Sequence, residues 1–535
     1  MLNLNYAGLQ DRAAWEAAGV TLPKYDWKEM VAETEANPTW IHFGAGNIFR
    51  GFIANLQHEL LNAGEVKGGI VACDTFDYDN ITMIYNAYDS LTMLVLLMPD
   101  GSMKKEVVAS ISKGLRVGPQ FEDELEQLKA CFRNPSLQML SFTITEKGYA
   151  LTNLQGEFFP FVKADFENGP GKCNHAMSTV AAMLWERYNS CKAPLAVVSM
   201  DNCSHNGEKL RASVMTVVDQ WLSRGFVTED FAAWVRDEAN VSFPWSMIDK
   251  ITPRPAKVVE EMLAASGIAD MAPKITPKNT FVAPFVNAEE PQYLVIEDRF
   301  PNGRPPLEKA SGVYMTDRDT VNNTETMKVT TCLNPLHTAL AVYGCTLGYE
   351  SISAEMQDAE LKALVEGIGY KEGLPVVVDP KILSPKEFID TVVNNRLPNP
   401  FVPDAPQRIA TDTSQKMAIR FGETIKKYGE KACELNYVPM AIAGWLRYLL
   451  AVDDNGAEMA CSPDPMLATL QEQLASVKLG APETATDEVL KPILSNATLF
   501  GVDLYAVGLA GKVQGLLQEM LAGPGAVRAC LKAHV

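Results

Sequence analysis

From Thr39 the chain runs Thr-Trp-Ile-His-Phe, an apolar stretch of strand character. It breaks at Gly44-Ala45-Gly46-Asn47-Ile48-Phe49-Arg50-Gly51, and then Phe52, Ile53, Leu56, Leu60 and Leu61 recur at helical spacing. A strand that turns through Gly-x-Gly into a helix lets backbone N–H groups approach a pyrophosphate, with the partial positive charge of the helix N-terminus behind them. Phe49 stands where such turns usually carry a third glycine, so the motif alone is also compatible with a plain turn. Asp74 strengthens it. It closes the next apolar run, Gly69 to Cys73, 28 positions after Gly46. A carboxylate there accepts hydrogen bonds from adenosine ribose hydroxyls and repels a 2′-phosphate, which favours NAD over NADP; the alternative is a helix cap or turn residue. Gly44, Ala45, Gly46, Asn47, Ile48, Phe49 and Asp74 are the candidate cofactor-binding residues.

Further strand candidates at Leu94–Met98, Gln138–Thr143 and Leu195–Ser199, with helical patterns between several of them, predict an α/β, doubly wound parallel sheet of Rossmann type. A chain of 535 residues exceeds the ~250–300 that one hydrophobic core supports, so a second domain is expected. After about residue 335 the pattern is mostly α-helical, with helices predicted at Thr338–Leu347, Ser384–Asn395, Thr413–Lys427, Pro439–Val452, Met466–Val477 and Ala506–Ala522. Residues 281–306 are rich in Pro, Asn and charge, which places the expected boundary there: a nucleotide-binding domain over 1–285 and an α-helical substrate domain over 286–535.

A net charge of −19 repels nucleic acid and anionic membrane surfaces, so neither is an expected partner. An anionic ligand would need its own local Arg or Lys. No apolar run nears the ~18 residues of a bilayer span, and Met1 to Val20 lacks a secretory pattern, so a cytoplasmic location is expected. Ten cysteines without a CxxC pair read as reduced thiols. Six dispersed histidines and no HExxH motif argue against a metal site. Oligomeric state is not legible at this level.

Ile41 to Phe52 resembles the opening fingerprint of the mannitol dehydrogenase family, and further blocks match in order. They include Thr143 to Tyr149, Ser199-Met200-Asp201-Asn202 with Asn206-Gly207, Met247 to Pro253, Leu333-Asn334 with His337, Arg408-Ile409-Ala410 with Lys416, and Ala443 to Tyr448. The resemblance implies a Rossmann domain followed by a helical domain, an active site in the cleft between them, and metal-independent hydride transfer between a secondary alcohol and NAD. It also implies site residues. Lys328 is the base, Asn202 and Asn334 cradle the substrate oxygen, His337 bonds substrate hydroxyls, Asp249 binds the polyol or orients the lysine, and Arg408 and Lys416 meet the distal end of the substrate.

These residue types suit the chemistry. Hydride leaves a carbinol carbon only if the hydroxyl proton is removed, and a lysine does that once burial or nearby positive charge lowers its pKa. Asparagine amides donate to an alkoxide without changing their own charge. Plainer readings exist: Lys328 as a surface charge, Asn334 as an N-cap ahead of Pro335, and Arg408 and Lys416 paired with Asp404 or Asp412. Glu325, three before Lys328, is either a proton relay or a surface carboxylate. One departure matters. The family separates its lysine and asparagine by four residues, whereas Val329 to Leu333 makes five. On an unbroken helix the extra residue rotates Lys328 by about 100°, which predicts a π-bulge or a helix break at Asn334-Pro335.

Among the family's substrates, interconversion of D-mannonate and D-fructuronate is the expectation, given Lys250, Arg254, Arg408 and Lys416 as partners for a carboxylate. The alternatives are mannitol 2-dehydrogenase or tagaturonate reductase activity and, from a different class, an inactive NAD-binding sugar-acid sensor.

Overall fold

A computed structural model describes residues 1–153, 155–402 and 404–535. They divide into two compact units, Met1–Met98 with Ser102–Asn322, and Pro99–Gly101 with Asn323–Val535.

The first unit is built on a six-stranded sheet of β1 (Trp40–Phe43), β2 (Ile70–Asp74), β3 (Ile111–Arg116), β4 (Met139–Phe142), β5 (Leu195–Ser199) and β6 (Val241–Ser242). Every neighbouring pair is parallel and the order is β3-β2-β1-β4-β5-β6. This is the doubly wound dinucleotide-binding order, and its direction reverses between β1 and β4. The strands read as short unbroken apolar runs because both faces are covered: every residue of β1, β2, β4 and β5 is buried. Helices Glu122–Arg133, Ala176–Ser190 and Asn206–Ser223 bring Leu128, Phe132, Val180, Leu184 and Val218 onto one face. Just before β4 and β5, the buried Arg187 donates to the carbonyls of Phe132, Asn134, Leu137, Ala193 and Pro194, which fastens the edge of the sheet away from the glycine turn.

Two expectations shift. The strand candidate at Leu94–Met98 forms as Thr92–Leu97 but outside the parallel sheet. It pairs antiparallel with Met103–Val108 across a tight turn, and parallel with Phe285–Glu289. The first unit also continues past residue 285. Phe285–Glu289 completes that second sheet, and Tyr293–Glu297 pairs with Ser246–Asp249 and Val313–Thr316. The Pro-rich, charged texture of 281–306 is that of short strands and their turns, and the chain passes to the second unit after Asn322.

The second unit is helical. Asn334–Leu347 and Tyr437–Leu449 form its centre, buried along most of their length, and Ala510–Met520 packs on the latter. The long helix expected over 413–427 is instead a 3-10 turn at Thr413–Gln415, a π turn at Ala418–Gly422 and a short helix, Glu423–Tyr428. Gly422 lets this segment pack closely, because a Cβ there would overlap the Phe500 carbonyl. No helix among the described residues is long and apolar enough to cross a membrane.

Glu355 lies fully buried against Gly344, whose missing side chain makes room for its carboxyl group. Neither carboxyl oxygen has a hydrogen-bond partner, and burial, reinforced by Asp358, pushes its pKa up to about 9. An acid whose pKa is raised on folding leaves stability undiminished below its unfolded value near ~4.5. It subtracts up to about 1.4 kcal/mol per pH unit as pH climbs from there to the folded value. Glu355→Gln removes that ionisation. Its denaturation midpoint is expected to vary much less than the parent's between pH 5 and 9, with a gain of about 3 kcal/mol at pH 7. Parallel slopes for the two proteins would show that Glu355 ionises freely in the fold.

Candidate functional site

At the end of β1 the chain turns at Gly44, whose φ of +105° is open to glycine and strained for other residues. A Cβ at this position would overlap the Thr143 carbonyl oxygen, whereas one at Gly46 meets nothing within 4 Å. The turn is therefore pressed against β4 at its first glycine and open at its second. The Ala45 carbonyl accepts from Asn80 Nδ2 (2.7 Å) and Tyr85 Oη (2.9 Å), which fixes the peptide orientation between the two glycines. His42 bridges β1 to β4, its ring nitrogens 2.7 Å from Ser141 Oγ and 2.8 Å from Thr143 Oγ1. Burial drives its pKa well below the ordinary histidine value, so it is neutral.

Asn47 and Ile48 open the helix, which passes through a π turn at Phe49–Ile53 into Ala54–Asn62. Phe49, in the third-glycine position, stacks its ring on His42 at 4.1 Å. Close helix approach is provided instead by Gly51, where a Cβ would lie 2.6 Å from Val286 Cγ1. Arg50 is buried and donates to Asn47 Oδ1 (3.0 Å) and the Ala283 carbonyl (2.8 Å), tying the helix start to the second sheet. Asp74 ends β2 beside this turn. Its Oδ1 accepts from the N–H groups of Phe76 (2.8 Å) and Asp77 (2.9 Å), and the carboxylate also receives the Ala45 N–H. Burial raises its pKa to about 6, against the pull of those N–H groups. Asp74 is thus a turn residue whose carboxylate also stands beside the glycine loop.

Asn202 is exposed in the loop after β5, and its neighbour Asp201 anchors that loop. Asp201 accepts from the N–H groups of Ile144 and Thr145 (2.9 Å each) and from Tyr149 Oη (2.6 Å). Asn206 closes the loop on its other side, donating to the Asp201 carbonyl at 3.0 Å and to the Ser246 carbonyl at 2.9 Å. Ser246 begins the strand that ends at the buried Asp249. Because β1, β2, β4 and β5 run parallel, the glycine turn, Asp74 and the Asn202 loop share the carboxyl edge of the sheet, where doubly wound folds bind ligands.

In the second unit both predicted irregularities occur in succession. Lys328–Cys332 is a π turn, closed by the Leu333 N–H donating to the Lys328 carbonyl at 3.1 Å. Leu333 leaves the helix at φ −133°, ψ −61°, and a new helix starts at Asn334 with Pro335 in its first turn. Lys328 is 2% exposed, which removes the surface-charge reading. His337 Nε2 lies 3.2 Å from Asp404 Oδ2 but is not aligned to hydrogen-bond it. Burial lowers the His337 pKa to about 3, aided by the positive charge of Arg420, Arg408, Arg396 and Lys416. Arg408 does form the ion pair with Asp404 that its spacing allowed, and its side chain is two-thirds exposed. Lys416 donates to the Thr411 carbonyl, and Arg420 to Thr338 Oγ1. Burial lowers the pKa of both, that of Arg420 to about 10.

Arg396 and Arg420 were not among the sequence candidates. Arg420 follows Lys416 by four residues, a spacing that could have flagged it. Arg396 ends a π turn, Val392–Arg396, and has no comparable local signal.

The chain matches the family models for the mannitol dehydrogenase Rossmann domain over residues 38–309 and the mannitol dehydrogenase C-terminal domain over 320–521. It belongs to the mannitol dehydrogenase family. Among relatives of this mannitol dehydrogenase family member is the D-mannonate oxidoreductase of Thermotoga maritima, 51% identical over 100% of this chain and 99% of the relative. Two solved structures share the fold. D-sorbitol dehydrogenase in substrate-free form has 26% identity and a TM-score of 0.79, covering 96% of this chain and 98% of its own. Pseudomonas fluorescens mannitol 2-dehydrogenase, solved as a ternary complex with NAD and D-mannitol, has 25% identity and a TM-score of 0.69 over 99% of both chains. As a member of the mannitol dehydrogenase family the protein is an oxidoreductase acting on CH–OH groups.

Proposed function

We propose that the protein is an NAD-dependent oxidoreductase that interconverts D-mannonate and D-fructuronate, with Lys328 as base and no metal in the chemistry. One arrangement carries the substrate class: Arg420 donates to Thr338 next to His337, Arg408 pairs with Asp404, whose other oxygen lies 3.2 Å from the His337 ring, and Arg396 and Lys416 also bear on that ring, in a chain of net charge −19. A neutral polyol needs no such concentration of positive charge, whereas a sugar acid carries a carboxylate that does. The name of the Thermotoga maritima relative supports the same reading.

The glycine turn fits a dinucleotide: it is open at Gly46, its helix start follows at once, and a carboxylate stands beside it. Bound NAD would supply the hydride acceptor. Lys328 is assigned the carbinol proton, and the amides of Asn202 and Asn334 the developing alkoxide. His337, uncharged across the physiological range, offers a hydrogen bond to a substrate hydroxyl and no proton donation of its own. Asp249 is assigned a substrate hydroxyl or the orientation of Lys328, Arg408 and Lys416 the carboxylate end, and Arg420, on the same run of chain as Lys416, a charged hydrogen bond to that same carboxylate. Glu325 is the candidate relay of the Lys328 proton to solvent. A cytoplasmic location belongs to the same proposal and is supported by ten scattered cysteines without a CxxC pair or a disulfide-framework spacing.

The test is a set of initial rates with D-fructuronate, D-tagaturonate and D-fructose, each with NADH and NADPH. Fastest turnover of fructuronate with NADH is expected. Preference for fructose would assign mannitol 2-dehydrogenase activity, preference for tagaturonate the other hexuronate, and NADH binding without any turnover the sensor reading. Asp74→Ser is expected to raise the KM for NADH by about 10–100-fold, the cost of a lost charged hydrogen bond, while improving relative use of NADPH. An unchanged cofactor ratio would confine Asp74 to its turn.

A further inference from the structure

The last two helices of the second unit, Ala510–Met520 and Ala526–His534, carry a group of side chains unrelated to the oxidoreductase chemistry. Cys530 and His534 are four residues apart and so share one face of the final helix. Glu519 faces them from the preceding helix. One ligand atom from each of Glu519, Cys530 and His534 lies within 4.8 Å of the other two, and no other such group of three His, Cys, Asp or Glu occurs among the described residues. The His534 Nε2 to Glu519 Oε2 distance is 2.6 Å.

The three differ in freedom. Cys530 is buried, its sulfur close to the Leu516 carbonyl at 3.9 Å, and so forms a fixed point. Glu519 and His534 are exposed, and rotation of either side chain would open their 2.6 Å contact to the roughly 3.3–3.6 Å that separates two ligand atoms on one tetrahedral ion. Glu519 borders two cavities. One of about 490 Å³ is also lined by His534 and Lys512, and one of about 420 Å³ is also lined by Cys530 and Gly525. Solvent can therefore reach a fourth coordination position.

We propose that Glu519, Cys530 and His534 form a binding site for a zinc-like divalent transition metal, completed by water. Thiolate, imidazole and carboxylate together match the borderline-soft preference of such ions and exclude magnesium and calcium, which take oxygen ligands. On binding, the Cys530 thiol loses its proton to solvent and the sulfur bonds the metal. The site joins the two helices across the turn at 521–525 and acts as a structural clasp. Cys530 and His534 lie beyond residue 521, where the match to the C-terminal family model ends.

The full-length protein, without a polyhistidine tag and stripped with chelator, is titrated with Co²⁺ and then Zn²⁺. Expected is one equivalent of Co²⁺ with tetrahedral visible bands and a near-ultraviolet thiolate-to-cobalt charge-transfer band, displaced by Zn²⁺, and a thermal midpoint raised several degrees by Zn²⁺. Cys530→Ser is expected to abolish the charge-transfer band, and His534→Gln, at an exposed position, to weaken binding at least about 10-fold. Absence of the charge-transfer band in the parent, its persistence in Cys530→Ser, or unchanged affinity in His534→Gln each overturns the proposal. Turnover of D-fructuronate, which uses none of these residues, reports separately on the function proposed above.

Discussion

Lys328→Met is expected to lower kcat/KM for the sugar acid by about 10²–10⁴-fold, the range over which a positioned general base contributes, while NADH affinity stays within about 2-fold. Methionine keeps most of the apolar stem, so a residue this deeply buried is replaced without a large cavity. What disappears is the group proposed to accept the carbinol proton. The pH profile of kcat/KM separates this from a general loss of packing. The parent's oxidation rate should rise through the ionisation of the base, and that limb should be missing in the variant. Cofactor affinity, read by quenching of NADH fluorescence, controls for integrity of the nucleotide-binding unit. Retention of activity within tenfold, with the limb intact, would remove Lys328 from the chemistry.

Arg420→Gln is expected to raise the KM for D-fructuronate by about 100-fold, since a charge-assisted hydrogen bond to a carboxylate contributes about 1.5–3 kcal/mol. Residual turnover of neutral fructose should change by less than about 3-fold. Arg420 also donates to Thr338 on the helix that carries Asn334 and His337, so a purely structural role is the competing explanation. The split between charged and neutral substrates distinguishes them, because disturbance of the helix impairs both alike. A second readout is His337 itself. Arg420 is the largest positive contributor to its lowered pKa after burial, so removing that charge should move the His337 pKa upward, as followed by the ring resonances in NMR. Equal loss with both substrates and an unmoved His337 would place the carboxylate elsewhere.

Much of the nucleotide-binding unit was legible because its signals are short. Gly44 to Gly51 and Asp74 lie in consecutive apolar runs, and a parallel strand buried on both faces reads as an apolar run whatever its neighbours are. The π turn at Lys328 was foreseeable for a similar reason: one residue added between a lysine and an asparagine on a helix has few places to go. Other features misled. Thr92–Leu97 is as apolar as β2, yet it belongs to a different sheet, because the turn at residues 98–102 makes a hairpin with Met103–Val108 more local than any parallel partner. The helix expected over 413–427 starts late, because Asp412 takes a left-handed conformation ahead of a 3-10 turn at Thr413–Gln415, features invisible to helical periodicity.

Local pattern in this chain therefore determined the element types, the glycine turn with its carboxylate and the irregular helix at Lys328, since each is set by neighbours within one or two turns of chain. Tertiary structure alone decided which strands share a sheet, that the first unit continues to Asn322, and that Arg396, Lys416 and Arg420 act on His337. Those outcomes depend on segments far apart in sequence being folded together, where Coulombic attraction and steric fit operate across space and leave no periodic trace in the residues that carry them.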